Sequence, residues 1–210
     1  MRRVLLWLLA LALAAALCWL CPPFRIVPLG QAQQRKLRGT FDAPTVARAF
    51  WDQKLLPAAA RAAPVAELLT ALAQDPTVAR QRFGRVLGLS STICFFVKGS
   101  GRIAAIDKEG ISVALDDVPA GTGVRLSTGL LFGNTVRDAT GLLDVNEFPN
   151  SQDFNAISAE LNHLVETQVL PALRNHAAIA KTIWFAGCIE LEEGPAPKTL
   201  QIIPVKVEWQ

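Results

Sequence analysis

Hydrophobic positions along this chain fall into three textures. Residues 4–21 form an uncharged run rich in Leu and Ala, preceded by Met1-Arg2-Arg3 and stopped by Pro22-Pro23. A polar, basic stretch follows, residues 31–39. From residue 43 the apolar positions recur at helical spacing. Asp42-Ala43-Pro44 reads as a helix start, with Asp as cap and Pro in the first turn. Val46, Phe50 and Leu55, with Ala47 and Trp51, supply one apolar face, and Pro57 is expected to end or bend that helix. Pro64 opens a second short helix through Leu68, Leu69 and Leu72. Asp75-Pro76 opens a third that stops at Gly84. Nothing between 43 and 84 resembles a turn suited to a strand pair.

The third texture starts at residue 91. Ile93-Cys94-Phe95-Phe96-Val97 is rich in strand formers, and Lys98-Gly99-Ser100-Gly101 allows a sharp bend before residues 102–107 continue the strand. Lys108-Glu109-Gly110 is a hairpin turn. Ile111-Ser112-Val113-Ala114-Leu115 alternates as a half-buried strand does. A loop at 119–123 precedes a third strand, 124–128, which Leu130-Leu131-Phe132 would extend. The period then turns helical over 153–176 through Phe154, Ile157, Leu161, Leu164, Val165, Val169 and Leu173, with a bend expected at Pro171. Residues 182–191 and 200–208 are two closing strands, and Pro204 points to an edge or a bulge.

Three strands, one long helix and two strands give an α+β class. The order is that of a five-stranded OB-like β-barrel with a long helix between strands 3 and 4. The full organisation expected is an N-terminal membrane helix (1–24), a linker (25–40), a short helical segment (41–90) and the OB-like barrel domain (91–210).

The arginines before the apolar run place the N-terminus in the cytoplasm and the rest of the chain on the far side of the membrane. The uncharged run reaches the length of a transmembrane helix and exceeds that of a cleaved signal, although Ala14-Ala15-Ala16 would suit a cleavage site. Cys21 is the candidate lipid attachment point. Bacterial acylation needs a small residue before the cysteine, and Leu20 stands there, with Cys18 at the third position back. The expectation is an uncleaved anchor in the bacterial inner membrane, single-pass, with Gln210 in the periplasm.

Composition narrows the chemistry. The chain has 21 basic and 18 acidic residues, and two of the bases, Arg2 and Arg3, lie in the leader. The exported part is therefore nearly neutral, without the basic stripe of a nucleic-acid binder. Cys94 and Cys188 are the cysteines outside the leader. Each sits in an apolar run, so both are expected to be buried; neighbouring strands of the barrel would allow a bond between them, but the narrow geometry of a disulfide favours free thiols. Two His and no suitable Cys spacing leave no zinc motif. Asp144, Asn146, Glu147, Asn150 and Asp153 are oxygen-rich but lack the spacing of a calcium loop, and Asn150 more simply caps the next helix. His163 reads as a solvated helix residue. No nucleophile elbow is present, and no cofactor motif is seen. Trp51, Phe83, Trp184 and Trp209 read as packing residues.

The polar segment Gly133-Asn134-Thr135-Val136-Arg137-Asp138 is the best candidate site. Arg137 and Asn134 would donate to a ligand and Asp138 would accept from its hydroxyls. Equally, Arg137 and Asp138 would form a network that fixes the loop after the third strand. In either case the connection must return toward the start of the long helix. This places Arg137 and Asp138 near Asn150 and Asn162, with Asp138 facing the helix's free N–H groups.

Several stretches resemble one bacterial family: Arg25-Ile-Val-Pro-Leu after Cys21, Val97-Lys-Gly-Ser-Gly, Gly133-Asn-Thr-Val-Arg-Asp-Ala139, and Asn146-Glu-Phe-Pro-Asn-Ser-Gln-Asp-Phe154 with Asn162 beyond it. The family is known as predicted periplasmic lipoproteins, domain of unknown function 2291. The resemblance covers nearly all of the chain after the leader. It implies a cysteine at the position of Cys21 and a place beside sugar-import genes. It implies no activity, substrate or catalytic residue. The expected function is a membrane-tethered periplasmic accessory or ligand-binding protein, associated with a sugar ABC transporter component or a small sugar-like ligand. The alternative is a hydrolase-like enzyme with a site near Arg137.

Overall fold

Five long strands pair in a closed circuit in the computed structural model of this chain. The structure describes Trp7 and residues 41–86, 92–116, 118–148 and 150–210. The expected membrane helix, the linker and Cys21 therefore lie outside the described residues, Trp7 apart. Among the described residues no helix is long and apolar enough to cross a membrane. Residues 42–210 make one compact unit.

The strands are β1 (Thr92–Ile106), β2 (Gly110–Ala114), β3 (Gly123–Ser127), β4 (Thr182–Glu192) and β5 (Thr199–Trp209). β1 pairs antiparallel with β2, β2 with β3, and β4 with β5. β3 and β5 run parallel, Gly123 opposite Thr199. β1 also pairs antiparallel with β4, from Thr92 opposite Glu192 to Arg102 opposite Thr182, which closes the circuit. Phe95, Val97, Ile103, Ile111, Leu126, Ile183, Phe185, Leu200 and Ile202 are buried and form the centre of the core. β5 is paired on both sides, so Pro204 marks a bulge rather than an edge. Gly187 faces Pro204 and Ala186 faces Lys206, leaving Val205 as the surplus residue.

The helical region holds α1 (Ala43–Phe50), α2 (Val65–Gln74) and α3 (Pro76–Phe83). Asp42 caps α1 by accepting from Thr45 N, and Asp75 caps α3 by accepting from Thr77 N and Val78 N. Pro57 does not end the first helix. A π turn, Trp51–Leu55, carries the chain to a further turn, Leu56–Ala58, and a 3₁₀ turn, Ala59–Arg61. Leu56 N–H reaches back five residues to Trp51 O. The wider turn relieves the crowding a proline ring imposes on the carbonyl four residues earlier.

Strand pairing does occur here, against the sequence expectation. Ala63–Pro64 pairs parallel with β1, and Gly84–Arg85 pairs antiparallel with it. Proline pushes the residue before it into extended backbone, and Gly84 has φ −83° and ψ 158°, an extended conformation. Both two-residue pieces meet the half of β1 that is apolar on both faces.

Beyond β3 the chain departs from the expected strand extension. Leu130 and Phe132 are each 78% exposed, in a loop. Gly133–Asp138 is not all loop either: Thr135–Asp138 is a single helical turn, α4. The long helix is α5 (Ser151–Leu164), a π turn (Val165–Val169) and α6 (Leu170–His176). A π turn precedes Pro171 as one precedes Pro57, with Leu170 N–H bonded to Val165 O. α5 packs on α1, and the π turn packs on β5.

A Cβ on Gly187 would lie 2.4 Å from Ile202 Cγ2 and 2.5 Å from Ile203 O, whereas one on Gly129 would meet nothing within 4 Å. Gly187→Ala is expected to destabilise the fold by about 1–3 kcal/mol through overpacking, and Gly129→Ala by less than about 0.5 kcal/mol. Denaturant midpoints of the two variants check this.

Candidate functional site

The segment from Leu131 to Asp138 lies between β4 and α5, and each of its polar contacts has an identifiable cause. Leu131 N–H donates to Glu166 Oε1 at 3.0 Å, and Asn162 Nδ2 donates to Gly133 O at 3.1 Å. Thr135 Oγ1 donates to Glu190 Oε2 on β4. These bonds hold the loop to a helix and a strand far away in sequence. Gly133 turns the chain with φ +81°, a left-handed conformation that suits glycine.

Arg137 is the hub. Its side chain is 4% exposed. Nε donates to Asp138 Oδ1 at 2.5 Å and Nη2 to Asp138 Oδ2 at 3.0 Å. Nη1 donates to Phe154 O at 3.2 Å and Asn155 Oδ1 at 2.9 Å. The plane lies over the Phe154 ring, 3.8 Å from its centroid. Arg137 thus reaches the first turn of α5, as the topology required. Its donors meet protein acceptors there, and Asp138 is taken up by Arg137 rather than by the helix's free N–H groups. Asn150 lies at the same helix end but serves as its cap, accepting from Asp153 N at 2.8 Å. Asp144 likewise accepts from Asn146 N and Nδ2, at 2.9 and 2.8 Å.

Three adjoining clefts surround the Leu131–Thr135 loop. One of about 460 Å³ is lined by Phe132, Asn134, Asn155, Ser158, Asn162 and Glu166 among others. One of about 520 Å³ lies between Leu130, Phe132, Thr135, Cys188, Glu190 and Gln201. A smaller one of about 240 Å³ is bounded by Cys94, Asn134, Asp138 and Glu190. Of the expected site residues, Asn134, Asp138 and Asn162 line this space. Arg137 braces its wall, and Asn150 lies outside it. His163 is exposed and also borders the cleft that Ser158 and Asn162 line.

Sequence reasoning missed Phe132, Ser158, Glu166 and Glu190. Ser158 is buried, and its hydroxyl has no hydrogen-bond partner. The carbonyl four residues earlier, which a helical serine ordinarily uses, is Phe154 O, and that oxygen already accepts from Arg137. A signal was available. Ser158 and Asn162 occupy positions four and eight residues after Phe154, on the face that should be apolar.

Cys94 and Cys188 are both buried and free. Cys94 faces Glu190 and Cys188 faces Phe96, so the two are diagonal neighbours on paired strands. Burial pushes the Cys94 thiol up to about 12, with the Glu190 and Asp138 carboxylates adding to the effect and Arg137 opposing it. Burial raises the Cys188 thiol as well. Neither is a nucleophile at neutral pH.

The family described as predicted periplasmic lipoprotein (DUF2291) matches residues 8–208, and the chain belongs to it. Among solved structures, the chain is similar to an OB-fold protein from Thermotoga maritima, with 28% identity and a TM-score of 0.71. The match covers 82% of this chain and all of that one. No curated protein matches the chain. The α+β class and the OB-type order of elements thus have a structural counterpart.

Arg137→Ala is expected to cost about 3 kcal/mol or more, because it leaves the partly buried Asp138 carboxylate unpaired. Arg137→Ala with Asp138→Ala should recover part of that loss, measured by thermal and denaturant unfolding. At pH 8, iodoacetamide should modify Cys94 and Cys188 roughly a thousandfold more slowly in the native than in the unfolded chain. Site-resolved peptide mapping follows both rates.

Proposed function

We propose that this family member is a membrane-tethered periplasmic accessory protein that binds a small polyhydroxylated, sugar-like ligand around the Leu131–Thr135 loop. The ligand would serve a neighbouring transporter component. The observation that carries this reading is the Ser158 hydroxyl, buried without a partner just behind the wall of the cleft that Asn134, Asn162 and Glu166 also line, where a small shift of the wall would present it to a ligand.

The surroundings of that hydroxyl suit the same ligand class. A sugar presents hydroxyls that donate and accept at once, so its site needs groups of both kinds. Asn134 offers an amide and Ser158 a hydroxyl, and beyond the bonds already made Asn155 keeps its Nδ2, Asn162 its Oδ1 and Glu166 its Oε2. A sugar also presents an apolar C–H face, and Phe132 holds an exposed ring at the rim of two of the clefts. Arg137, which both the binding and the enzymatic expectation had invoked, has its donors engaged by Asp138, Phe154 and Asn155, so a ligand would be held by the groups that line the cleft instead. The tether is the uncharged run 4–21, kept uncleaved with its two arginines on the cytoplasmic side.

A screen of mono- and disaccharides against the full chain, in a polyoxyethylene detergent, should show a saturable rise in Tm for at least one sugar. Phe132→Ala should lose that rise while moving the ligand-free stability by less than about 0.5 kcal/mol. A panel without any responder, or a response untouched by both Phe132→Ala and Ser158→Ala, would overturn the proposal.

Intact-mass analysis of the membrane-extracted protein tests the tether. An uncleaved N-terminus is expected. A chain beginning with an acylated Cys21, or one beginning near Leu17, would replace the transmembrane anchor.

A further inference from the structure

A second cleft is built very differently. Arg61 ends the 3₁₀ turn after α1, Arg82 lies in the last turn of α3, and Arg85 sits on the two-residue strand against β1. All three line one cavity of about 350 Å³, together with Phe96 of β1 and the Ala139–Thr140 connection. No Asp or Glu is among its lining residues. Like charges facing a common space repel one another, so three exposed, sequence-distant arginines gathered with no carboxylate in the lining mark a place suited to an anion.

The guanidinium forks are largely uncommitted. Among the described residues, Arg61 and Arg85 have no side-chain hydrogen bond or ion pair. Arg82 stacks over Phe83 at 4.8 Å and comes only to 4.0 Å from Glu67, both side chains being more than half exposed. An exposed pair at that distance is weak. The connection on the far wall is held close. Lys54 Nζ donates to Leu142 O at 3.4 Å, and Gly141, with φ +64°, lies against the Arg85 side chain. Thr140 adds a hydroxyl to the lining, and Ala58, Ala62 and Phe96 give an apolar floor.

We propose that this cleft binds a phosphate group carried on a small organic moiety. A carboxylate matches one or two arginine forks, whereas a phosphate presents enough oxygens to engage three. The apolar floor takes the carbon portion of the ester. The volume suits a ligand of that size. Two sources share this chemistry, a soluble phosphate ester and the headgroup of an anionic lipid, and the site is separate from the sugar-like cleft around Phe132.

Calorimetry on the full chain in polyoxyethylene detergent tests the proposal. The probes are inorganic phosphate, glycerol 3-phosphate, acetate, and the short-chain lipids dihexanoyl phosphatidylglycerol and dihexanoyl phosphatidylcholine. At least one anionic phosphate probe should bind saturably, and acetate should bind at least tenfold more weakly. Arg61→Gln with Arg85→Gln should weaken the phosphate probe at least tenfold, while Arg102→Gln, an exposed arginine of β1 outside the cleft, should not. Tm of each variant confirms folding, and Arg61→Lys with Arg85→Lys, which keeps the charge but loses the forks, should weaken binding by an intermediate factor if the glutamine pair does not fold. Binding of glycerol 3-phosphate assigns a soluble ester, and binding of phosphatidylglycerol alone assigns a headgroup. Absence of saturable binding by every anionic phosphate probe, equal affinity for acetate, or equal loss in Arg102→Gln would overturn the proposal.

Discussion

A strand that must pair with one neighbour along its first two thirds and another at its end has to curl, and the closed sheet depends on that curl in β1. Arg102 is the residue where the two pairings meet, opposite Thr182 on one side and Ala114 on the other. Gly99 and Gly101 stand just before it, and the register against β2 shifts just after it, between Ile103 and Ala105. A Cβ at Gly99 would lie 2.8 Å from both Phe185 and Val65, and one at Gly101 would lie 2.3 Å from Ala114 O. The missing side chains let α2 and β2 approach together. The first half of β1 is then free to be apolar on both faces, one toward the sheet interior and one toward the helical region, whose two short strands pair with it.

Arg137 plays the corresponding part for the cleft. The connection from β3 to α5 has little regular structure of its own, so its shape depends on side-chain contacts. A buried guanidinium is tolerated only when its donors are satisfied, and Asp138, Phe154 O and Asn155 satisfy them at one end of α5. Asn162 and Glu166 then fasten the loop two and three turns further on. By occupying Phe154 O, Arg137 also leaves Ser158 without its ordinary intrahelical partner. The network that fixes the wall thus contributes to the polarity of the space behind it.

Most of the order of elements was legible in the sequence because it rests on local periodicity. Alternation at 111–115, the hairpin turn at Glu109-Gly110 and the caps at Asp42, Asp75 and Asn150 are properties of a few adjacent residues. Leu130-Leu131-Phe132 misled for the same reason: three apolar residues after a strand look like more strand, and nothing local says that Leu130 and Phe132 face solvent. The pieces Ala63–Pro64 and Gly84–Arg85 were invisible because two residues have no period and their partner lies elsewhere in the chain. The clefts are assembled from β4, α5 and a loop, so Glu190 and Ser158 could be linked to Asn134 only once the fold brought them together. The two π turns were hidden by the assumption of a 3.6-residue repeat. In each, a backbone bond spans five residues, from Leu56 N–H to Trp51 O and from Leu170 N–H to Val165 O, a step of five.

That step of five has an evolutionary meaning. A π turn is an α-helix that has absorbed one surplus residue, and the widened turn leaves the helix on either side intact. Trp51–Leu55 and Val165–Val169 each lie just before a Leu-Pro step, Leu56-Pro57 and Leu170-Pro171. A relative without the proline could shed one residue at that place and still turn the same side chains inward. Loops are not the only places where this fold can change length. Two of its helical stretches, each buried at its two ends and open to solvent between them, offer the same latitude, and a residue-by-residue comparison that forbids gaps inside helices would misalign the face of α6 that the core depends on.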